Sequence, residues 1–389
     1  MIDKILFLAT NSLAIALFML ISLILMDVLP VQQFIFSSSV LILGTVLSQL
    51  ASLGGGYFIP RACHSRAIDS HSLVTHYIRW TFSITISSCF LIVLAPSLTT
   101  YTLLFGSILS MHYLIDTYSK IKLPLMFIAK LNLFSNLFLA VVVVLLYLND
   151  LLSGESFVIA VSTSKLVFIS MSSIKLNLLL KMSSSANNIV SPKSLKVALS
   201  SFCIYLLGAF DVAILSYLDT TPNREQYLLT KHFSYGVYTA IFIEIYLPFV
   251  LSSFSNKKFN NDILIKTAFI SIALFVCIVL IGTSITIYKN YPFDLINIVG
   301  IASGMSLYGL ITCLNLVLFT YFGKTTSSTL ILVLAFIVFI IASYNNLSVH
   351  SLIFTWNAML LVILFSLLIR YNRFSSGINA SSHLKWNLL

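Results

Sequence analysis

Several ionisable side chains stand inside long apolar stretches of this sequence, where their chemistry is costly and therefore informative. Asp211 lies in one such stretch, with Tyr205 and Gly208 on a similar helical face. Glu244 lies in the next stretch, and Lys165 sits near the middle of an earlier one with Ser162 one turn before it. His112 and Asp116 are four residues apart, a spacing that puts both on one face of a helix. A charged group at the centre of a bilayer costs roughly 2.5–3.5 kcal/mol or more, so it faces a wet cavity or pairs with another group. An acid can also become neutral there. The deeper residues, Asp211, Glu244 and Lys165, are expected to face a water-filled cavity. His112 and Asp116 lie near one interface and are expected to have a wet, structural role.

Two polar stripes accompany these charges. Ser38, Thr45, Ser48 and Ser52 share one face of the second apolar stretch, a pattern of small residues that suits close helix packing in lipid. His232, Tyr235, Thr239 and Tyr246 do the same in the eighth, beside Lys231. Cations interleaved with aromatic rings suit an anionic, sugar-bearing ligand. Soluble-enzyme motifs are missing: there is no P-loop, no H-E-x-x-H, no G-x-S-x-G and no Cys/His ligand set. Gly54-Gly55-Gly56 has no strand before it and no Gly-Lys-Ser/Thr after it, so it is read as the end of a helix turning into a loop. Cys63, Cys89, Cys203, Cys277 and Cys313 have neither zinc nor redox spacing and read as small packing residues. No cofactor and no metal is expected.

The elements that must position these residues are set by composition. Of 389 residues, 59% are hydrophobic and 9% charged, and the mean hydropathy is +1.01. A soluble domain carries roughly 25% charged residues, so an aqueous globular fold is excluded. Twelve apolar stretches are long enough to cross a bilayer: 5–26, 34–53, 80–97, 101–118, 126–148, 156–178, 197–218, 231–251, 268–287, 295–320, 328–344 and 351–369. Runs such as Leu137 to Leu146 are apolar at every position, which excludes the alternation of barrel strands. The expected fold is all-α: a polytopic membrane protein of about twelve transmembrane helices.

The net charge of +10 follows topology. With the N-terminus in the cytoplasm, the inner segments hold nearly every lysine and arginine, from Lys4 and Arg61 through Lys193 to Arg370 and Lys385. The outer segments hold only Arg224, Lys231 and Lys289. Both termini are therefore expected in the cytoplasm. No clustered basic face suggests nucleic acid. The first stretch lacks a small-residue cleavage site and reads as an uncleaved anchor. Outer connections are short, at most about a dozen residues (219–230), while 54–79, 179–196 and 252–267 are the larger inner loops. Lysine-flanked polar sequence around 182–196 reads as a linker between two six-helix halves, 1–181 and 197–389, a rhythm shared by transporters built from repeats.

Two stretches carry a family resemblance. Tyr205 to Phe254 contains an Asp in the seventh span, the short loop Pro222-Asn223-Arg224-Glu225-Gln226-Tyr227, and an eighth span ending Tyr246-Leu247-Pro248. It resembles the corresponding region of Wzx-type O-antigen and polysaccharide flippases, within the multidrug/oligosaccharidyl-lipid/polysaccharide (MOP) exporter superfamily. Leu53-Gly54-Gly55-Gly56-Tyr57-Phe58-Ile59-Pro60-Arg61 resembles the glycine-then-arginine stretch of those proteins. The chain departs from them in being short, and in having Gln226 where a glycine often precedes the tyrosine.

The resemblance implies a transporter rather than an enzyme. It would move undecaprenyl-diphosphate-linked oligosaccharide units across the bacterial inner membrane by alternating access, around a cavity lined by the first, second, seventh and eighth spans. Implied partners are that lipid-linked substrate, membrane lipids and other polysaccharide-assembly membrane proteins. It assigns Arg61 to the head group at the cytoplasmic mouth and Arg224, Lys231 and His232 to its capture or release near the outer side. Lys165 and Tyr235 join them as substrate-binding candidates. Asp211 and Glu244 become candidates for a coupling proton or sodium ion. Two alternatives stand beside it: an O-antigen polymerase, which normally carries a large arginine-rich outer loop, and a drug or small-solute exporter of the same superfamily.

Overall fold

The computed structural model describes residues 2–65, 70–178, 192–217, 224–247, 250, 262–322 and 348–378, with Leu334 and Ile337 between the last two. The described residues form helices and no strands. In hydrocarbon, a helix satisfies its own backbone hydrogen bonds, and apolar sequence of this length leaves no other open-chain solution.

The first half begins with α1 (Ile2–Val28), α2 (Val31–Ala51) and the short α3 (Gly55–Ser65). It continues through α4 (Ser70–Leu94), α5 (Leu98–Lys122), α6 (Leu125–Leu148) and α7 (Gly154–Lys175). The second half holds α8 (Pro192–Tyr217), then α9 (Arg224–Tyr238), which runs directly into the π-helical segment π1 (Thr239–Tyr246). After these come α10 (Asp262–Tyr288), α11 (Leu295–Phe322) and α12 (Val349–Ile378). The polytopic all-α architecture is as expected. Eleven of the twelve anticipated spans appear as helices, and the one expected at 328–344 falls mostly outside the described residues. So does the first part of the expected linker, 182–191.

The anticipated inner loop 54–79 is largely helical. It contains α3 and the start of α4, which begins ten residues earlier than the hydropathy suggests. Gly54 turns the chain at φ +77°, and Gly55 and Gly56 open α3 rather than a loop. A Cβ on Gly56 would stand 2.1 Å from the Tyr113 ring, so α3 lies against α5 only because that position is bare.

Helix caps are local. Ser97 and Ser153 each form a reciprocal capping box with the residue three positions on, satisfying first-turn N–H groups of α5 and α7. Phe90 and Val93 on α4, Phe269 on α10 and Phe354 and Phe365 on α12 are exposed, the outward face expected where lipid replaces water. α5 and α11 are mostly buried at the centres of their halves. Short turns make successive spans antiparallel, so Ile2 and the α5–α6 turn share one side, here called the terminal side. The halves meet where α2 runs along α8, α1 touches π1, and α3 packs on α11.

Candidate functional site

A cavity of about 200 Å³ lies at this meeting of helices. α1 contributes Asn11 and Phe18, α2 contributes Thr45, Ser48 and Gln49, and α8 contributes Tyr205. α9 and π1 contribute His232, Tyr235, Tyr238, Thr239 and Ile243. The first, second, seventh and eighth spans therefore all reach it. α5, α6 and α7 reach it too, through His112, Tyr113 and Asp116, Asn132 and Asn136, and Lys165.

The amides are held in place. Asn132 Nδ2 donates to Asn11 Oδ1 at 3.1 Å, Asn136 Nδ2 to the Ala14 carbonyl at 2.8 Å, and Ser201 Oγ to Gln49 Oε1 at 3.0 Å. Thr45 and Ser48 bond back to their own helix, at Leu41 and Thr45 carbonyls, so their hydroxyls help packing as well as lining.

The described wall carries one acid, Asp116, and one lysine, Lys165. Asp116 is met by Lys120 at 2.7 Å, one turn further along α5, and Lys120 Nζ also donates to the Ile243 carbonyl of π1 at 3.3 Å. Lys165 reaches the same wall, and two imidazoles accompany it. His112 packs on Phe168 at 4.6 Å between ring centroids, and its Nε2 meets no hydrogen-bond partner among the described residues. His232 stands edge-on to Phe34 at 5.2 Å. His112 and Asp116, expected to have a wet, structural role near one interface, line the cavity.

Asp211 and Lys231 are not on this wall. They meet each other at 2.8 Å, with both side chains fully buried. Tyr227 donates its hydroxyl to the same carboxylate oxygen, Oδ2. The Lys231 ammonium sits 3.5 Å from the centroid of a Trp356 ring, and Trp356 Nε1 donates to the Leu207 carbonyl at 2.5 Å. Asp211, expected to face the cavity, is instead paired with Lys231 in a buried cluster inside the second half. Lys231, expected to meet substrate, has turned there too, while its neighbour His232 points into the cavity.

Tyr246 also leaves the expected stripe, bonding to the Ile263 carbonyl at 3.0 Å and Thr267 Oγ1 at 2.7 Å. The wider i→i+5 turns of π1 change the angle per residue, so a face extrapolated at α-helical spacing drifts off. The side chains of Arg61, Arg224 and Glu244 lie outside the described residues.

Comparison with solved structures matches nearly the whole chain. The MATE multidrug transporter DinF-BH, solved in complex with a ligand, has a TM-score of 0.66 at 11% identity, covering 95% of this chain and 94% of its own. The Vibrio cholerae MATE transporter VcmN gives 0.63 at 11%, covering 97% of each chain. A MOP-superfamily transporter from Pyrococcus furiosus gives 0.60 at 12%, covering 97% and 96%. The chain has the fold of the MOP-superfamily transporters. No protein-family model matches the sequence, and no curated relative matches it. The fold neighbours are transporters rather than enzymes, and the two-half architecture is theirs.

The residues that the charge-first reading missed are Asn11, Asn132, Asn136 and Gln49. Their signal is weak but present: a carboxamide in hydrocarbon also needs a partner, and Asn132 and Asn136 are spaced one turn apart on α6.

Proposed function

We propose that this chain moves an anionic, lipid-linked oligosaccharide across the bacterial inner membrane, by exposing the cavity alternately on either side. The observation that supports this most directly is a cavity wall that sets the Lys165 ammonium among carboxamides and tyrosine hydroxyls. Lys165 and the available Nε2 of His112 provide a cation and a polar contact for a diphosphate. The carboxamides of Asn11, Asn132, Asn136 and Gln49 can exchange hydrogen bonds with sugar hydroxyls, and the tyrosine rings offer faces for stacking. The lipid tail can remain in the bilayer. Membrane lipids and other polysaccharide-assembly proteins are the partners such a role requires. The distribution of lysine and arginine supports placing both termini in the cytoplasm.

For the Pyrococcus furiosus transporter, a reversed polarity of the binding pocket is taken to suggest a different function. The fold itself favours a second reading, export of a small solute or drug, because DinF-BH is described as a multidrug transporter. A polymerase reading draws no support from a transporter fold.

Deletion of the gene in a strain lacking related exporters separates these readings. The expected outcome is loss of both polymer and single surface-attached repeat units, with lipid-linked units retained on the cytoplasmic leaflet. A single repeat unit on the surface acceptor would indicate a polymerase. Unchanged polysaccharide together with new sensitivity to toxic drugs would indicate drug export.

A further inference from the structure

We propose that Lys231 is a built-in cation, whose ammonium occupies from within the chain the position beside Asp211 that a free monovalent cation would otherwise take. Four observations converge on it. Asp211 is fully buried in the second half, where a lone carboxylate would need a proton or a counter-ion. The Lys231 ammonium lies 2.8 Å from Oδ2 and is itself fully buried. It also lies over the face of Trp356 at 3.5 Å, a setting that attracts a desolvated cation electrostatically. Tyr227 supplies a hydroxyl to the carboxylate, while Oδ1 meets no donor among the described residues. A carboxylate with one spare acceptor, a phenol and an indole face together form a receptor for a small cation. Here the receptor is filled by a side chain that cannot leave.

Two consequences follow. Asp211 in the native protein does not exchange a free coupling ion, because the site is permanently supplied. The tether also fixes α9, carrying Lys231 inward against α8 and α12 so that His232 and Tyr235 are presented to the cavity.

The test removes the tether and asks whether a free ion replaces it, since a ligand that binds only the folded protein stabilises it by mass action. Wild type, Lys231→Ala, Lys231→Met and Asp211→Asn/Lys231→Ala are purified in detergent. Thermal unfolding is followed as choline chloride is exchanged for sodium chloride at constant ionic strength and pH. Wild type should be indifferent to the exchange. Lys231→Ala should unfold at a lower temperature in choline and recover at least half of the loss in sodium, saturably. Lys231→Met removes the charge but fills the space, so it should stay destabilised in both salts. The double variant should show no sodium response. Sodium stabilisation of wild type equal to that of Lys231→Ala would overturn the proposal, as would a Lys231→Ala protein blind to sodium. Should Lys231→Ala not accumulate folded, equilibrium binding of radioactive sodium to wild type and Asp211→Asn decides alone: equal binding supports the built-in cation, and a bound ion lost with Asp211→Asn sinks it.

Discussion

Lys165 brings its ammonium to the cavity on a flexible four-carbon stem, into a wall that also holds His112, Asp116 and the asparagines of α6. A hydrogen bond to a charged group contributes about 1.5–3 kcal/mol, and each 1.4 kcal/mol is tenfold in affinity. Lys165→Ala is therefore expected to weaken binding of an anionic lipid-linked substrate roughly 10- to 100-fold, with Lys165→Arg retaining most of it. Titration of the purified variants with a lipid diphosphate, followed by intrinsic fluorescence, checks this, and equal affinity in Lys165→Ala would remove Lys165 from the site. Lys165 was legible in the sequence because a lysine amid apolar residues has few places to go. The pairing of Asp211 with Lys231 was not legible. Each residue separately satisfies the same rule, and only the packing of α8 against α9 decides whether a buried charge meets water or its opposite. Asn11 was harder still, since one amide near the start of an apolar helix is common and becomes notable only when Asn132 bonds to it across the bundle.

At the scale of elements, hydropathy and length located the long helices, because the bilayer fixes how many apolar residues a span requires. They could not reveal α3, which is only eleven residues and too polar on one face to register as a span. Nor could they reveal π1, whose residues are as apolar as those of an α-helix and differ only in winding. α11 shows how closely these elements are fitted. An added Cβ on Gly304 would lie 2.0 Å from Trp356 Cζ3, so α12 reaches α11 through a position that must be bare. Trp356 is also the ring beneath Lys231, which links this packing to the buried ion pair. Gly304→Ala is expected to cost about 1–3 kcal/mol by overpacking, seen as a lower unfolding temperature in detergent. Gly304→Ala combined with Trp356→Leu should recover packing but lose the aromatic face over the ammonium. If Gly304→Ala unfolds at the wild-type temperature, Trp356 does not pack tightly against α11 at this position.

For the whole molecule, the proposed alternating exposure would require the seam between halves to close on one side while it opens on the other. On the terminal side the seam is buried: Asn315 Nδ2 of α11 donates to the Tyr57 hydroxyl of α3 at 3.0 Å, beneath the edge-on rings of Tyr57 and Phe319. Away from the terminal side it is held by an exposed contact between the ends of α1 and α10. Lys289 Nζ meets Asp27 Oδ1 at 2.6 Å and the Met26 carbonyl at 3.3 Å, and the Tyr288 hydroxyl donates to Asp27 Oδ2 at 2.6 Å. Asp27 and Lys289 keep 43% and 25% of their side-chain surface exposed, so solvent screens the pair. Such a pair is worth at most about 1 kcal/mol, weak enough to break in the proposed cycle and directional enough to register the two halves. The nearby loop has a second polar tie, Tyr291 donating to Glu225, where burial and then the adjacent carboxylate raise the phenol above its ordinary range and keep it a donor at neutral pH. Asp27→Lys and Lys289→Asp should each set like charges against one another across the seam and lower transport several-fold at equal expression. Asp27→Lys/Lys289→Asp restores an opposite pair with its polarity reversed and should bring transport back toward wild type, whereas two independent surface effects would add. Assaying all four proteins for transport, in low salt and again at about 1 M salt where the Debye length is near 3 Å, isolates the electrostatic part. The single-variant defects should shrink in high salt, and a double variant no better than the worse single one would show that this contact does not register the halves.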